Sequence, residues 1–343
     1  MSIVGWDIGA ANVKAAWVEG KEIRVTSCPF EIWRAKDRLP GVLQSAYDSI
    51  VPGPSPQAMA VTMTAELSDV FETKREGVLF VLNSLKACFS KVAIYILSLS
   101  GEFMALDGAR ARPLEFAASN WLASAQWIAG KIRNCLLVDV GSTTTDILPI
   151  LDGKVRVRGR SDLERLASGE LAYTGVLRTN LAAIVHSVPV ASRLCRVASE
   201  YFSISGDVHL VLGHLDSRDY TCATPDGRPP SMNSARQRLA RLVCADSEMI
   251  SATEIDEMAR YIYAQQVRQI RECIDQLISR LPSLRRLPVI AVGSGAFLGA
   301  AAARSAGMKV GELDTNMGRE ELAVMPCIAA AQLLAGQLAL GLP

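Results

Sequence analysis

The chain has 343 residues, half of them hydrophobic, and its 36 lysines and arginines stand against 35 aspartates and glutamates for a formal net charge of +1. That length and apolar content suit two domains with substantial cores, and the charge balance excludes a general field for nucleic acid or an anionic membrane, so any anion site has to be local. No stretch approaches the roughly 20 apolar residues of a membrane helix, and the opening Ile3-Val4-Gly5-Trp6-Asp7 lacks the basic start of a signal peptide, so the cytoplasm is the expected compartment.

In chain order, short apolar strands are predicted at 3–8, 13–18 and 22–27. Helical periodicity follows near 38–51 and 73–89, interleaved with strands at 58–63 and 92–97. A linking helix is expected over 113–131, with Pro113 in its first turn. It sets the expected boundary between an N-terminal domain of 1–132 and a C-terminal domain of 133–343. From Cys135 the order begins again, with strands at 136–140, 145–150 and 154–158, helical segments, and strands at 208–212 and 288–293.

The longest helix starts at the capping-box pattern Ser251-Ala-Thr-Glu254 and stops at Pro282. Between them Ile255, Met258, Ile262, Ile270, Ile274, Leu277, Ile278 and Leu281 recur at helical steps, the stripe of a core-facing helix. The small apolar residues of 326–341 read as a closely packed helix. Eight cysteines are scattered and never spaced Cys-x-x-Cys, which reads as reduced core thiols. No cysteine–histidine grouping has zinc-ligand spacing, and His186, His209 and His214 lack the spacing of nucleophile partners, so core or surface roles are expected for them.

Both halves open on one form of hairpin: apolar strand, aspartate, one residue, glycine, polar turn, second strand. The first, GWDIGAANVKAA, offers Asp7, Gly9, Asn12 and Lys14; the second, VDVGSTTTDIL, offers Asp139, Gly141, Ser142, Thr143, Thr144, Thr145 and Asp146. Glycine lets backbone N–H groups face an anion closely, and small hydroxyls add donors without blocking the approach. The aspartates cannot bind phosphate themselves but can hold Mg²⁺ or its waters. One such turn would more simply close a hairpin; two, one opening each half, suit a phosphate chain gripped from both sides. A third element, VIAVGSGAFLG at 289–299, sets Gly293, Ser294 and Gly295 between a buried strand and an Ala-rich helix.

Residues 3–18, 136–150 and 289–299 resemble, in this order, the phosphate-1, phosphate-2 and adenosine motifs of the superfamily of sugar kinases, Hsp70 proteins and actin. The resemblance implies an α/β fold of two ribonuclease-H-like domains around a central cleft. A closer resemblance rests on VTMTAELSDVFETKREGV (61–78), DVGSTTTDILPI (139–150), TGVLRTN (174–180) and RDYTCATPDGRPP (218–230). It is to hydantoinase/oxoprolinase-related proteins of tetrahydromethanopterin-linked one-carbon metabolism, among them a methylofuran-biosynthesis enzyme.

That resemblance implies a transferase joining an aminomethylfuran methyl diphosphate to the phenol of a tyrosine- or tyramine-derived acceptor. The products would be an aryl ether and pyrophosphate, and no ATP would be required. The expected partners are these two small molecules, with neither nucleic acid nor membrane, and the oligomeric state is left open. Under this resemblance Asp7 and Asp139, holding Mg²⁺, and Thr143 would stabilise the leaving group. Gly9, Asn12, Lys14, Gly141, Ser142, Thr144, Thr145, Gly293, Ser294 and Gly295 would bind the diphosphate.

Glu66 is the candidate base, while Asp69, Lys74, Arg75, Glu170 and Arg178 would hold the acceptor. Simpler structural readings compete: Lys74 and Arg75 as a solvated first turn of 73–89, Glu170 and Arg178 as an internal pair, Asp226-Gly227 as an ordinary turn. Two other functions suit the same fold, an ATP-dependent kinase or amidohydrolase and a nucleotide-binding scaffold without turnover.

Overall fold

The computed structural model describes residues 1–314 and 317–341. It comprises two compact units, the first made of Met1–Asn134, Ile150–Asp162 and the segment from Asp314 onward, the second of Cys135–Pro149 and Leu163–Leu313. The units are therefore not two continuous ranges divided near 132. Among the described residues no helix is long and apolar enough to cross a membrane.

The first unit is built on six strands: β1 (Ser2–Ile8), β2 (Asn12–Glu19), β3 (Glu22–Pro29), β4 (Ala58–Met63), β5 (Ala93–Leu97) and β6 (Phe103–Ala105), in the sheet order β3-β2-β1-β4-β5-β6. An antiparallel meander, β1 to β3, thus lies beside two strands parallel to β1. Trp6, Ile8, Met59 and Val61 pack with Leu39, Leu43, Val78 and Leu82 from the helices Leu39–Ile50 and Lys74–Cys88 in one apolar core.

Across β1 lies the C-terminal helix Met325–Ala339, whose Met325, Cys327, Ile328 and Ala331 are buried. Its approach is so close that a Cβ on Gly5 would sit 1.9 Å from the Cys327 carbonyl oxygen. This packing is why the last segment belongs to the first unit.

The linking helix expected over 113–131 is broken. A 3₁₀ turn spans Pro113–Phe116 and an α-helix Asn120–Ala129, with Ala118 between them at φ 52°. Here the Ser119 N–H donates to the Met63 carbonyl at the end of β4 instead of continuing a helical ladder.

The second unit contains β7 (Cys135–Val140) and β8 (Thr145–Leu151); the end of β8 runs into the first unit, where Ile150 and Leu151 pair with β9 (Lys154–Val155). Further strands are β10 (Leu171–Ala172), the separate hairpin β11 (Ser187–Val190) and β12 (Arg193–Arg196), then β13 (Val289–Val292) and β14 (Val310–Gly311). The sheet order β10-β8-β7-β13-β14, with β13 parallel to both β7 and β14, repeats the plan of the first sheet: a hairpin beside parallel strands. Helix Ala252–Arg280 carries the predicted capping box, with Glu254 accepting from the Ser251 N–H at 2.8 Å, and buries its predicted stripe.

The strand expected at 208–212 is instead part of helix Ser205–Val211. Asp207 accepts from the Ile204 N–H and Ser203 hydroxyl, capping the helix, and all seven helical residues are buried, so no polar face marks its period. Asp207 is also the centre of a buried polar cluster. Arg238 donates to it through Nε at 2.9 Å and Nη2 at 2.6 Å, Tyr220 through its hydroxyl at 3.0 Å, and a third Arg238 bond reaches Asp226 at 3.1 Å. The 218–230 motif thus staples Arg238 in place, since a buried guanidinium is tolerated only when its donors are matched.

Gly5→Ala should destabilise the protein by about 1–3 kcal/mol, the usual cost of forcing a methyl into packed backbone. Gly41→Ala is the control: no atom lies within 4 Å of a Cβ there, and it sits in helix Leu39–Ile50. A helical glycine of this kind gains about 0.4–1 kcal/mol on becoming alanine. Thermal unfolding should show the midpoint falling in the first variant and holding or rising in the second.

Candidate functional site

In the first unit β1 and β4 are parallel neighbours, so their carboxyl ends come out side by side, the usual location of ligands in such sheets. Asp7 pairs in register with Thr62, whose hydroxyl donates to the Trp6 carbonyl at 2.9 Å. The Thr64 N–H donates to Ile8 and the Gly9 N–H to Asn12, each at 2.9 Å, closing the turn. Asp7 is almost wholly buried, at 6% exposure. Burial first, then the charge of Asp7, push the thiol of neighbouring Cys327 well above its usual pKa. Lys14, expected on the diphosphate, donates its ammonium to the Ala323 carbonyl at 3.0 Å and so ties β2 to the C-terminal segment.

Three residues past β4 lies Glu66, on the 3₁₀ turn Ala65–Leu67. It is 1% exposed, and neither carboxyl oxygen has a hydrogen-bond partner. Burial drives its pKa from 4.5 up to about 7, against the downward pull of its own backbone N–H and of Lys74, with Asp162 adding an upward push. Lys74 pairs with Asp162 at 3.2 Å, so neither charge is given over to Glu66 alone. Helix Lys74–Cys88 can lie against this turn because its second-turn residue is Gly77, where a Cβ would come 2.5 Å from the Glu66 Cα.

The hydroxyls of Ser68 and Ser119 are likewise buried without a partner, and Ser119 is attached to the end of β4 through Met63. A carboxyl that exchanges its proton near neutrality, beside unpaired hydroxyls, is equipped for general acid–base chemistry. Asp69 and Arg75 are exposed, with Arg75 on the first turn of its helix.

In the second unit Asp139, next to last in β7, lies opposite Val292 of β13. The chain leaves β13 through Gly293 at φ +85°, where a Cβ would lie 2.4 Å from the Asp139 Oδ1. The Gly295 N–H then donates to Val140 at 2.9 Å. From another side, the N–H groups of Val176, Leu177 and Arg178 bond the carbonyls of Gly141 and Ser142 at 2.9–3.0 Å. Gly175 faces Thr143 where a Cβ would come 2.5 Å from its nitrogen. The Gly141 N–H closes the turn on Thr144 at 2.9 Å. Ser142, Thr143 and Thr144 are left half-buried, with the Ser142 and Thr143 hydroxyls 3.5 Å apart, while Ser294 is exposed.

Two expected site residues lie inside this unit. Thr145 is fully buried and donates its hydroxyl to the Thr174 carbonyl at 2.7 Å, which removes it from the diphosphate set. Glu170 is fully buried and pairs with Arg280 at 2.6 Å, an internal tie and not an open place for an acceptor. The 174–180 motif therefore acts chiefly as a brace for the turn at 141–145. Among the described residues, no group of three or more His, Cys, Asp or Glu side chains could hold a metal ion.

Glu66 makes stability pH-dependent. A carboxyl whose pKa is higher folded than unfolded gives its full support below pH 4.5, and that support is lost as pH rises through about 7. Glu66→Gln, neutral throughout, should match the native protein at pH 4 and exceed it at pH 8 by up to roughly 3 kcal/mol. Denaturant midpoints at the two pH values provide the comparison, and parallel pH profiles of the two proteins would count against a strained carboxyl.

Residues 57–335 match a family model described as hydantoinase/oxoprolinase. The chain is 37% identical over 279 residues to a Methanocaldococcus jannaschii protein named (4-{4-[2-(gamma-L-glutamylamino)ethyl]phenoxymethyl}furan-2-yl)methanamine synthase, covering 81% of this chain and 82% of that one. A Methanococcus vannielii protein of the same name is 39% identical over 161 residues, 47% of this chain and 72% of the relative. In structure the chain resembles acetone carboxylase in its nucleotide-free form, with a TM-score of 0.54 at 9% identity over 96% of this chain and 70% of that one, a likeness of fold alone. The two repeated α/β sheets have the actin, Hsp70 and sugar-kinase type of architecture. The family match takes in Glu66, the turn at 139–145 and the loop at 293–295, and the chain belongs to the hydantoinase/oxoprolinase family.

Proposed function

We propose that the chain is a methylofuran-biosynthesis synthase that forms an aryl ether with release of diphosphate. The name shared by the two relatives describes a phenoxymethyl oxygen joining a phenol to a furan that bears a methanamine. The observation that carries the reading to this chain is Glu66, a buried carboxyl without a hydrogen-bond partner whose pKa lies at about 7. In the reaction the phenolic oxygen bonds to the furan methylene carbon as that carbon's bond to the diphosphate oxygen breaks. The bonding pair leaves with the diphosphate, and the phenolic proton passes to the Glu66 carboxylate. No nucleotide is consumed.

The electron-rich furan spreads positive charge developing at the methylene, so the larger demand is stabilisation of the departing diphosphate. The half-buried donors at 141–144, with Ser294 and the glycines at 293 and 295, suit that task in the second unit. Mg²⁺ fits the donors on offer, because it binds through one or two carboxylates and takes its remaining ligands from phosphates and water. Asp139 would hold it beside the donors of the second unit, and it would neutralise charge on the diphosphate. Exposed Asp69 and Arg75, in the same unit as Glu66, are suited to the charged ends of a tyrosine- or tyramine-derived acceptor.

Incubating the purified protein with both substrates and Mg²⁺ but no ATP should give the ether and pyrophosphate by mass spectrometry. Ether formed only after ATP is added would replace this reading with an ATP-dependent reaction. Asp139→Asn and Thr143→Ala should each lower turnover by about 10²–10³, the range for a lost donor to transition-state charge. Glu66→Gln should cost less, and should abolish the rise of kcat as pH increases through about 7 that a base with this pKa produces in the native protein.

A further inference from the structure

His209 and His214 take no part in the chemistry described so far, yet their geometry fixes their protons. His209 is fully buried in helix Ser205–Val211, and His214 is exposed just beyond it. Their Nδ1 atoms are 3.2 Å apart, and the His209 Nε2 lies 3.0 Å from the Oε1 of Gln266, a polar residue in the apolar stripe of helix Ala252–Arg280. Gln266 turns its Nε2 to the Gly175 carbonyl at 2.8 Å and the Thr174 hydroxyl at 3.0 Å.

A carbonyl only accepts, so the amide nitrogen of Gln266 must face Gly175 and its oxygen must face His209. His209 therefore carries its proton on Nε2 and presents a bare Nδ1. His214 has to donate Nδ1–H to it, which leaves the His214 Nε2 bare in the neutral ring. Burial and the neighbouring His214 lower His209 to about 3, and burial lowers His214, so both rings are neutral at pH 7. Among the described residues the His214 Nε2 has no hydrogen-bond partner.

Two further rings frame that acceptor. The His214 centroid is 4.9 Å from Tyr263 and 4.8 Å from Phe297, both half-buried. Phe297 stands on the first turn of helix Ala296–Ser305, two residues past Gly295. The cluster is thus attached to both braces of the 141–145 turn, through Gln266 to Gly175 and through Phe297 to the 293–295 loop. Its character is specific: flat aromatic faces with one neutral acceptor, and Arg304 acting on the Tyr263 side. The matching ligand is an aromatic ring carrying an O–H donor.

We propose that His214, Tyr263 and Phe297 form a docking subsite that takes the phenolic acceptor ahead of the chemical step, its ring against the two aromatic faces and its hydroxyl donating to the His214 Nε2. His209 and Gln266 are positioning residues that fix the tautomer. The assignment rests on the phenol acceptor proposed above.

The test uses the full chain with ¹⁵N-labelled histidines at pH 7, where NMR reports which ring nitrogen is protonated. His209 should carry its proton on Nε2 and His214 on Nδ1, and tyramine should move the His214 Nε2 signal. 2-Phenylethylamine, which lacks the hydroxyl, should bind about tenfold more weakly, the worth of one hydrogen bond. His214→Ala should bind both amines equally, with its spectrum reporting an intact fold. Equal affinities in the native protein, a tyramine preference that survives His214→Ala, or adenosine instead of tyramine moving the His214 signals would overturn the site. A tyramine preference lost in His214→Ala but without ether formation supports the site and refutes the reaction; ether formation by His214→Ala with unchanged KM for the phenol refutes the site alone.

Discussion

One backbone can press against another only where no Cβ intervenes, and the chemistry-bearing residues of both units depend on that constraint. Gly77 lets a helix lie on the Glu66 turn, Gly293 lets a loop touch the Asp139 carboxyl, and Gly175 lets a second loop rest on Thr143. A side chain at any of the three would move the functional group it supports. Asp139 is held against the Gly293 loop, and Glu66 gains a low-dielectric environment. Their order comes from main-chain packing.

That environment has different consequences for two of the perturbed titrating groups. Glu66 and His209 are both buried, and in both cases burial favours the neutral form, raising the carboxyl to about 7 and lowering the imidazole to about 3. Glu66 thereby comes into the range where a proton moves easily in either direction. His209 is moved out of that range and becomes a fixed donor–acceptor link between Gln266 and His214. The absence of a hydrogen-bond partner on one, and partners on both ring nitrogens of the other, separates a group able to react from one that holds a network in place.

Polar motifs that look alike in sequence divide in the same way. The 218–230 motif satisfies buried Arg238, and 174–180 holds the turn before it by backbone N–H groups. In 61–78 both carboxyl oxygens of Glu66 and the Ser68 hydroxyl are left buried without partners, where 218–230 leaves one oxygen of Asp226, whose other oxygen is paired. Unmet hydrogen-bonding capacity in a buried place is costly and has to be offset by packing elsewhere, which makes it the better marker of a ligand-facing position within the family.

Local sequence determined much of the architecture. Short apolar runs marked the strands at 3–8, 13–18, 22–27 and 58–63, and a capping box with a helical stripe marked Ala252–Arg280, because these signals arise between residues a few positions apart. Asp-x-Gly turns announced both hairpins for the same reason. Tertiary structure decided what depends on distant neighbours. It made 205–211 a helix, since a segment buried on every side has no period to read, and it returned the C-terminal helix to β1 through Gly5. Thr145, Glu170 and Lys14 look like their neighbours in sequence, yet Thr174, Arg280 and Ala323, each far along the chain, occupy their polar atoms. Which polar group is left unsatisfied is a property of the packed chain, because a hydrogen-bond partner is selected by spatial distance and not by position in sequence.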